Sequence, residues 1–278
     1  MMYVLGAAVP VLAWSAYALP TFGSVLPATL AAKMAQVASG LWAPFHVRLF
    51  EEWLPEWGIG PWGLPSTVLG YLLVALGLLA MASKRRRMLV FPAWGVAFAA
   101  GYSLLGVPGY TWYRLPVFFV LCISAGLGLE VLVRLAFGTQ GTGVLSIPTV
   151  WAATAVMVVF AGWQTAGAIT NPPNDTRGPA YLAVAQWLND NAEPDDSVAF
   201  FEVGALGYYT DLRVVDLVGL VTPSMIPHVI NRDFTSGFWE VQPDYLIELE
   251  GSEFIRGLLE NPIVPLKYSK ATAFFGKQ

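Results

Sequence analysis

"GALGYYTDLRVVDLVGLVTP", residues 204–223, sets two adjacent tyrosines and the charges of Asp211, Arg213 and Asp216 around the apolar run RVVDLVGL. A short run rich in β-branched residues, bounded by glycine and proline, reads as a buried strand. Upstream, SVAFFE (197–202) has the same character, and PDYLIEL (243–249) and PLKYSKATAFF (265–275) supply two further strand candidates. Before them, AYLAVAQWLNDNAEPDD (180–196) spaces Tyr181, Leu182, Ala185 and Leu188 at helical intervals and ends in an Asn/Asp/Pro turn. Strands alternating with helical pieces over about 100 residues predict a small α/β layer domain.

The chain that precedes this domain is of another kind. Across 278 residues only 12% are charged and 56% are hydrophobic, with a mean hydropathy of +0.57. Soluble domains carry about 25% charged residues, so the deficit points to an integral membrane protein. Four of the nineteen acidic residues, Glu51, Glu52, Glu56 and Glu130, fall before residue 172, and the other fifteen lie between Asp175 and Glu260. The step falls at NPPNDTRGP (171–179), a linker that stops a helix and starts a loop. The expected division is therefore a transmembrane helical domain over 1–170 and an α/β domain over 171–278.

A bilayer span needs about 20 mainly apolar residues. Segments 2–20, 63–83, 88–107, 115–136 and 149–170 meet that need, giving about five transmembrane helices. The first lacks the basic flank of a signal peptide. Lys84–Arg87, "KRRR", in a short loop favours the cytoplasm, and Arg134 agrees with it. Alternation then places the N-terminus in the cytoplasm and 21–62, 108–114 and the α/β domain outside an inner or plasma membrane. Within 21–62, Leu30, Met34, Val37 and Leu41 recur at helical spacing. With Trp42, Trp53, Trp57 and Trp62 they read as an interfacial helix on the outer leaflet.

Several functions are disfavoured at this level. A net charge of −4 offers no basic face for nucleic acid. No G-x-G-x-x-G, Walker or G-x-S-x-G pattern occurs, and the two histidines, His46 and His228, lie in no metal-ligand spacing. Cys122 stands alone in an apolar run and can form no intrachain disulfide. Ion or proton coupling would call for paired intramembrane charges. Here Glu130 can pair locally with Arg134 at i,i+4.

Three stretches carry a family likeness. WLNDNAEPDDSVAFFEVGALGYYTDLRVVDLVGLVTP (187–223) resembles the extracytoplasmic C-terminal domain of bacterial integral-membrane glycosyltransferases of the C superfamily. FGSVLPATLAAKMAQ (22–36) resembles one of their outside loops, and YTWYRLP (110–116) resembles the W-Y-x-x-P entering a late span. The likeness implies a polyprenyl-phosphate sugar as donor and transfer to an extracytoplasmic acceptor. In that superfamily the catalytic acidic residue sits in the first outside loop. Here that loop resembles a later one, so the chain looks like the C-terminal half of such an enzyme, lacking the catalytic loop. Its expected partners are membrane lipids, the lipid-linked sugar and a separate N-terminal half chain.

Transfer from a lipid phosphate needs a carboxylate base and cationic or metal help for the leaving phosphate. A divalent cation would serve, but no metal ligands stand out in the sequence. Glu51 and Glu52 are the weak candidates for the base. Arg114, Tyr113 and Lys33 are candidates for binding a lipid phosphate, through bidentate guanidinium contact in the first case. Tyr208, Tyr209, Glu202 and Asp216 are candidates on the acceptor side; Arg213 or the two tyrosine hydroxyls would partner the carboxylates if these are buried. The different-class alternative is a non-catalytic, membrane-anchored binding or scaffolding module.

Overall fold

The computed structural model describes residues 2–57, 64–136, 177–249 and 256–274. The chain forms two compact bodies. One comprises 1–42, 106–108 and 178–276; the other comprises 43–105, 109–177 and the last two residues.

The first body is built on a three-stranded parallel sheet, β1 (Ser197–Phe200), β2 (Arg213–Asp216) and β3 (Tyr245–Leu246), in the order β2-β1-β3. Val198 pairs with Val214 on one side of the central strand and with Tyr245 on the other. Alternation along β1 sends its side chains to opposite faces. Val198 and Phe200 join Tyr181, Ala185 and Leu188 of the helix Arg177–Asn191 and Leu206 of the helix Val203–Tyr209. Ala199 and Val215 instead join Met225, Phe238 and Leu258 on the opposite face. Both faces of the sheet are covered, as a parallel sheet requires. Asp244 ties the start of β3 to that of β1, accepting 2.8 Å bonds from the Ser197 backbone N–H and hydroxyl.

One strand expectation fails. PLKYSKATAFF begins inside a four-residue helix, Val264–Lys267, and shows no strand through residue 274. Pro265 lies in the first turn of that helix, where its fixed φ favours helix and its missing N–H costs nothing.

Two N-terminal helices belong to the same body: α1 (Met2–Phe22) and α2 (Ala28–Ala38). The apolar stripe expected to lie on a membrane surface is not the buried face of α2. Ala32, Ala35, Gln36 and Ser39 are buried, whereas Met34 and Leu41 are exposed. The small-residue face packs against the helix Ile226–Asn231, where Ala35 meets Val229 and Phe234. Arg232, in the left-handed conformation at the end of that helix, donates from Nε to the Ser39 carbonyl. A cation at carbonyls near a helix C-terminus is favourable. Gly40 leaves room there: its φ is +71°, and a Cβ on it would stand 2.6 Å from the Arg232 guanidinium.

The second body contains the helices Leu64–Lys84, Val90–Leu104 and Leu115–Ala136. Among the described residues, Leu64–Lys84 and Thr111–Leu135 are long and apolar enough to cross a membrane, and Ala8–Phe22 is a shorter apolar helix. The expected span 88–107 is instead a 3₁₀ turn followed by a 15-residue helix. That helix covers about 22 Å; with the 3₁₀ turn before it, at about 2 Å per residue, the helical run Arg86–Leu104 extends about 30 Å, and a turn at Gly106, φ +61°, follows it. The segment 149–170 lies outside the described residues. The architecture is thus mostly helical, with two candidate membrane-crossing helices and a small C-terminal α/β domain.

Leu64–Lys84 and Leu115–Ala136 meet through glycine. A Cβ on Gly77 would fall 1.8 Å from the Ser124 carbonyl oxygen, and one on Gly128 would fall 1.8 Å from that of Leu73. Arg85, just past the end of the first helix, pairs with Glu130 in the last two turns of the second. The two helices therefore run in the same direction. Residues 45–56, including a π-helical turn at Arg48–Trp53, pack into this body. Trp53 is only 2% exposed and meets Phe45 edge-on, while Trp57 lies against Tyr71. These two tryptophans serve as packing groups, and Trp62 lies outside the described residues.

Candidate functional site

Open parallel sheets place ligands beyond the carboxyl ends of their strands, and two of the sequence candidates stand there. Asp216 ends β2 and is fully buried. Its carboxylate accepts 2.9 Å bonds from the backbone N–H groups of Val218 and Val221, and its own N–H donates to the Thr222 hydroxyl. Burial raises its pKa, against partial relief from the backbone donors of residues 218–221. The expected partners, Arg213 or the tyrosine hydroxyls, are replaced by main-chain donors because the chain turns back around the carboxylate. Gly219, at φ +82°, permits that turn. Asp216 is therefore a loop-closing group and presents no oxygen to an acceptor.

Glu202 follows β1 and accepts a short hydrogen bond from the Tyr181 hydroxyl; Tyr181 in turn sits edge-on to Phe200. Tyr208 and Tyr209 are exposed, at 81% and 48%, with ring planes nearly perpendicular. Asn189 donates to the Tyr209 carbonyl and holds this end of the helix.

The turn closed by Asp216 delivers Pro223 and Ile226 to a cavity of about 590 Å³ in the same body. Its other walls are Trp14 and Phe22 of α1 and a run from Ser24 to Met34 that includes Leu26, Pro27 and Leu30. The Trp14 indole donates to the Val25 carbonyl at 2.8 Å, pinning the α1–α2 connection. The lining is apolar and aromatic, with a volume typical of small-molecule pockets. Composition and motif spacing do not reveal this cavity, because its two walls lie about 190 residues apart in sequence. The one signal in the sequence is that 22–34 and Pro223 fall within stretches with a family likeness, while Trp14 and Ile226 do not. Lys33, half-buried on α2, is not among the cavity-lining residues.

The second body carries Tyr113 and Arg114 in a 3₁₀ turn at Thr111–Arg114, leading into Leu115–Ala136. The Arg114 guanidinium lies over the Phe118 ring, 5.7 Å from its centre, and makes no ion pair among the described residues. Around it, Tyr113 contacts Tyr102 edge-on at 4.7 Å, and Tyr110 stacks on Trp112 with planes 6° apart. Of the candidate bases in this body, Glu52 pairs with Arg48 at 2.6 Å and Glu51 is exposed.

No group of three or more metal-ligating side chains occurs among the described residues. His228 bonds Glu240 at 2.9 Å. Glu130 pairs with Arg134, as its i,i+4 spacing predicts, and also with Arg85.

Residues 169–278 match a family profile described as a domain of unknown function, DUF8728. No curated protein and no solved structure matches the chain.

Proposed function

We propose that the chain is a glycosyltransferase-like membrane protein that engages a polyprenyl-phosphate sugar and serves its transfer to an extracytoplasmic acceptor. In this reading the N-terminus is cytoplasmic, about five helices cross the membrane, and the α/β domain lies outside. The observation that carries it is the cavity shared by residues 22–34 and 223–226. Residues 22–34, from one stretch that resembles the glycosyltransferase family, meet Pro223, the end of another, in a single apolar wall suited to a prenyl chain. Arg114, stacked on Phe118 and in no ion pair among the described residues, offers a guanidinium for a lipid phosphate.

The base is the missing part. Glu52, Glu202 and Asp216 are each engaged by a neighbour, and Glu51 is a solvated carboxylate. In this reading the carboxylate that deprotonates the acceptor is supplied by a separate N-terminal half chain. The same observation favours a second reading, a membrane-anchored binding module without chemistry of its own.

A photoactivatable polyprenyl phosphate tests the first reading. Label is expected on peptides spanning 22–34 or 223–226, and Ala31→Trp should reduce it by filling the cavity. Labelling confined to other peptides would overturn the assignment. Transfer that appears only when a second chain is added separates the enzyme from the binding module.

A further inference from the structure

We propose that the end of the helix pair bearing Lys84–Arg87 is a binding surface for anionic phospholipid headgroups. This proposal rests on the reading that Leu64–Lys84 and Leu115–Ala136 cross a membrane, and it is independent of the glycosyltransferase assignment. Between Glu56 and Asp175 the sequence holds one carboxylate, Glu130, against Lys84, Arg85, Arg86, Arg87, Arg114 and Arg134.

The structure shows where that carboxylate is used. Arg85 grips Glu130 bidentately, at 2.8 and 2.6 Å, and Arg134 joins at 2.9 Å. Glu130 is thus taken up by Arg85 and Arg134 and leaves no oxygen engaged with Lys84, Arg86 or Arg87. Lys84, Arg86 and Arg87 remain exposed, and Lys84 and Arg87 make no ion pair among the described residues. Among the described residues Arg86 donates to the Ala82 carbonyl alone, at 3.3 Å. A 3₁₀ turn over Arg86–Leu89 follows directly and fixes the local backbone.

What surrounds the cations selects the partner. Leu79, Val90 and Leu135 are exposed at 67%, 62% and 73%. An uncompensated cationic cluster bordered by bare hydrocarbon matches a phospholipid, with its phosphate on the guanidinium groups and its chains along the leucines. An acidic protein would leave that apolar belt uncovered. Such cations each strengthen attraction to an anionic surface about fivefold, and the effect is screened by salt.

The test uses the full chain purified in detergent, with micelles doped with equal phosphatidylglycerol and phosphatidylcholine, and native mass spectrometry of retained lipid. Phosphatidylglycerol should be retained preferentially, and added glycerol phosphate should not displace it. The Arg86→Gln/Arg87→Gln pair should weaken retention roughly thirtyfold, whereas Arg86→Lys/Arg87→Lys should preserve it. Equal retention of the two lipids, or no loss in the glutamine pair, overturns the proposal. Displacement by glycerol phosphate reduces the surface to a phosphate site and overturns the lipid assignment. A chain that stays soluble without detergent and carries neither lipid refutes the membrane reading itself.

Discussion

Replacing Gly77 or Gly128 by alanine should pry the two long helices apart. The built Cβ atoms lie 1.8 Å from carbonyl oxygens of the facing backbone, and comfortable carbon–oxygen contacts lie at about 3.3–3.6 Å. Backbone oxygens cannot rotate aside, so the helices must separate by about 1.5 Å. Gaps of about 0.5–1 Å already forfeit a quarter to a half of each contact's attraction. For about thirty atom pairs worth roughly 0.1–0.2 kcal/mol each, losing half costs about 1.5–3 kcal/mol, in line with overpacking elsewhere. Alanine recovers about 1 kcal/mol of helix propensity, leaving a net loss of about 0.5–2 kcal/mol. Gly126, in the same helix as Gly128, has nothing within 4 Å of its built Cβ, so Gly126→Ala should be neutral or stabilising. One separation accommodates both new methyl groups, so the Gly77→Ala/Gly128→Ala pair should cost well below the sum of the singles. Reversible unfolding in mixed micelles, followed by helical ellipticity, measures all four variants. Equal effects of Gly77→Ala and Gly126→Ala, or strict additivity of the pair, would refute the close backbone crossing.

Four further outcomes are expected. In a Cys122→Ser background, cysteine at Asp190 should react with an impermeant reagent added to intact cells and cysteine at Ser83 should not; the reverse pattern would invert the orientation. Arg114→Lys should weaken polyprenyl-phosphate binding tenfold to a hundredfold in lipid titration, through loss of a charge-assisted bond worth about 1.5–3 kcal/mol, and equal affinity would reduce Arg114 to an anchor. The purified chain alone should transfer no sugar, and turnover abolished by Glu51→Gln or Glu52→Gln would show that this loop supplies its own base. Bonds from the Ser197 hydroxyl and N–H lower the Asp244 pKa, so its stabilisation is present above the ordinary carboxylate value of about 3.9 and lost as pH falls through the depressed one. Burial raises the Asp216 pKa, so its contribution has the opposite sign: it is complete below about 3.9 and declines as pH rises through the raised value. Hydrogen exchange of 197–221 across acid pH should lose protection on acidification less steeply in Asp244→Asn and more steeply in Asp216→Asn.

Features set by neighbours along the chain were legible in the sequence. The runs SVAF and RVVD become β1 and β2, the helix before them buries Tyr181, Ala185 and Leu188 of its periodic set but exposes Leu182, and Glu130 meets Arg134 one turn away. Such outcomes follow from side-chain period and local reach. Periodicity reveals that a helix has a distinct face, but not which surface will cover it. Only the tertiary structure turned the small-residue face of α2 toward Val229 and Phe234, where alanine allows close approach. Only it gave Glu130 a second partner, Arg85, 45 residues away. It also opened the segment expected at 88–107 with a 3₁₀ turn and confined its α-helix to Val90–Leu104, which hydropathy alone does not record. The cavity and the enclosed Asp216 belong to the same class. Each depends on chain reversals that juxtapose residues remote in sequence, and hydropathy records the cost of exposing a residue without recording its neighbour.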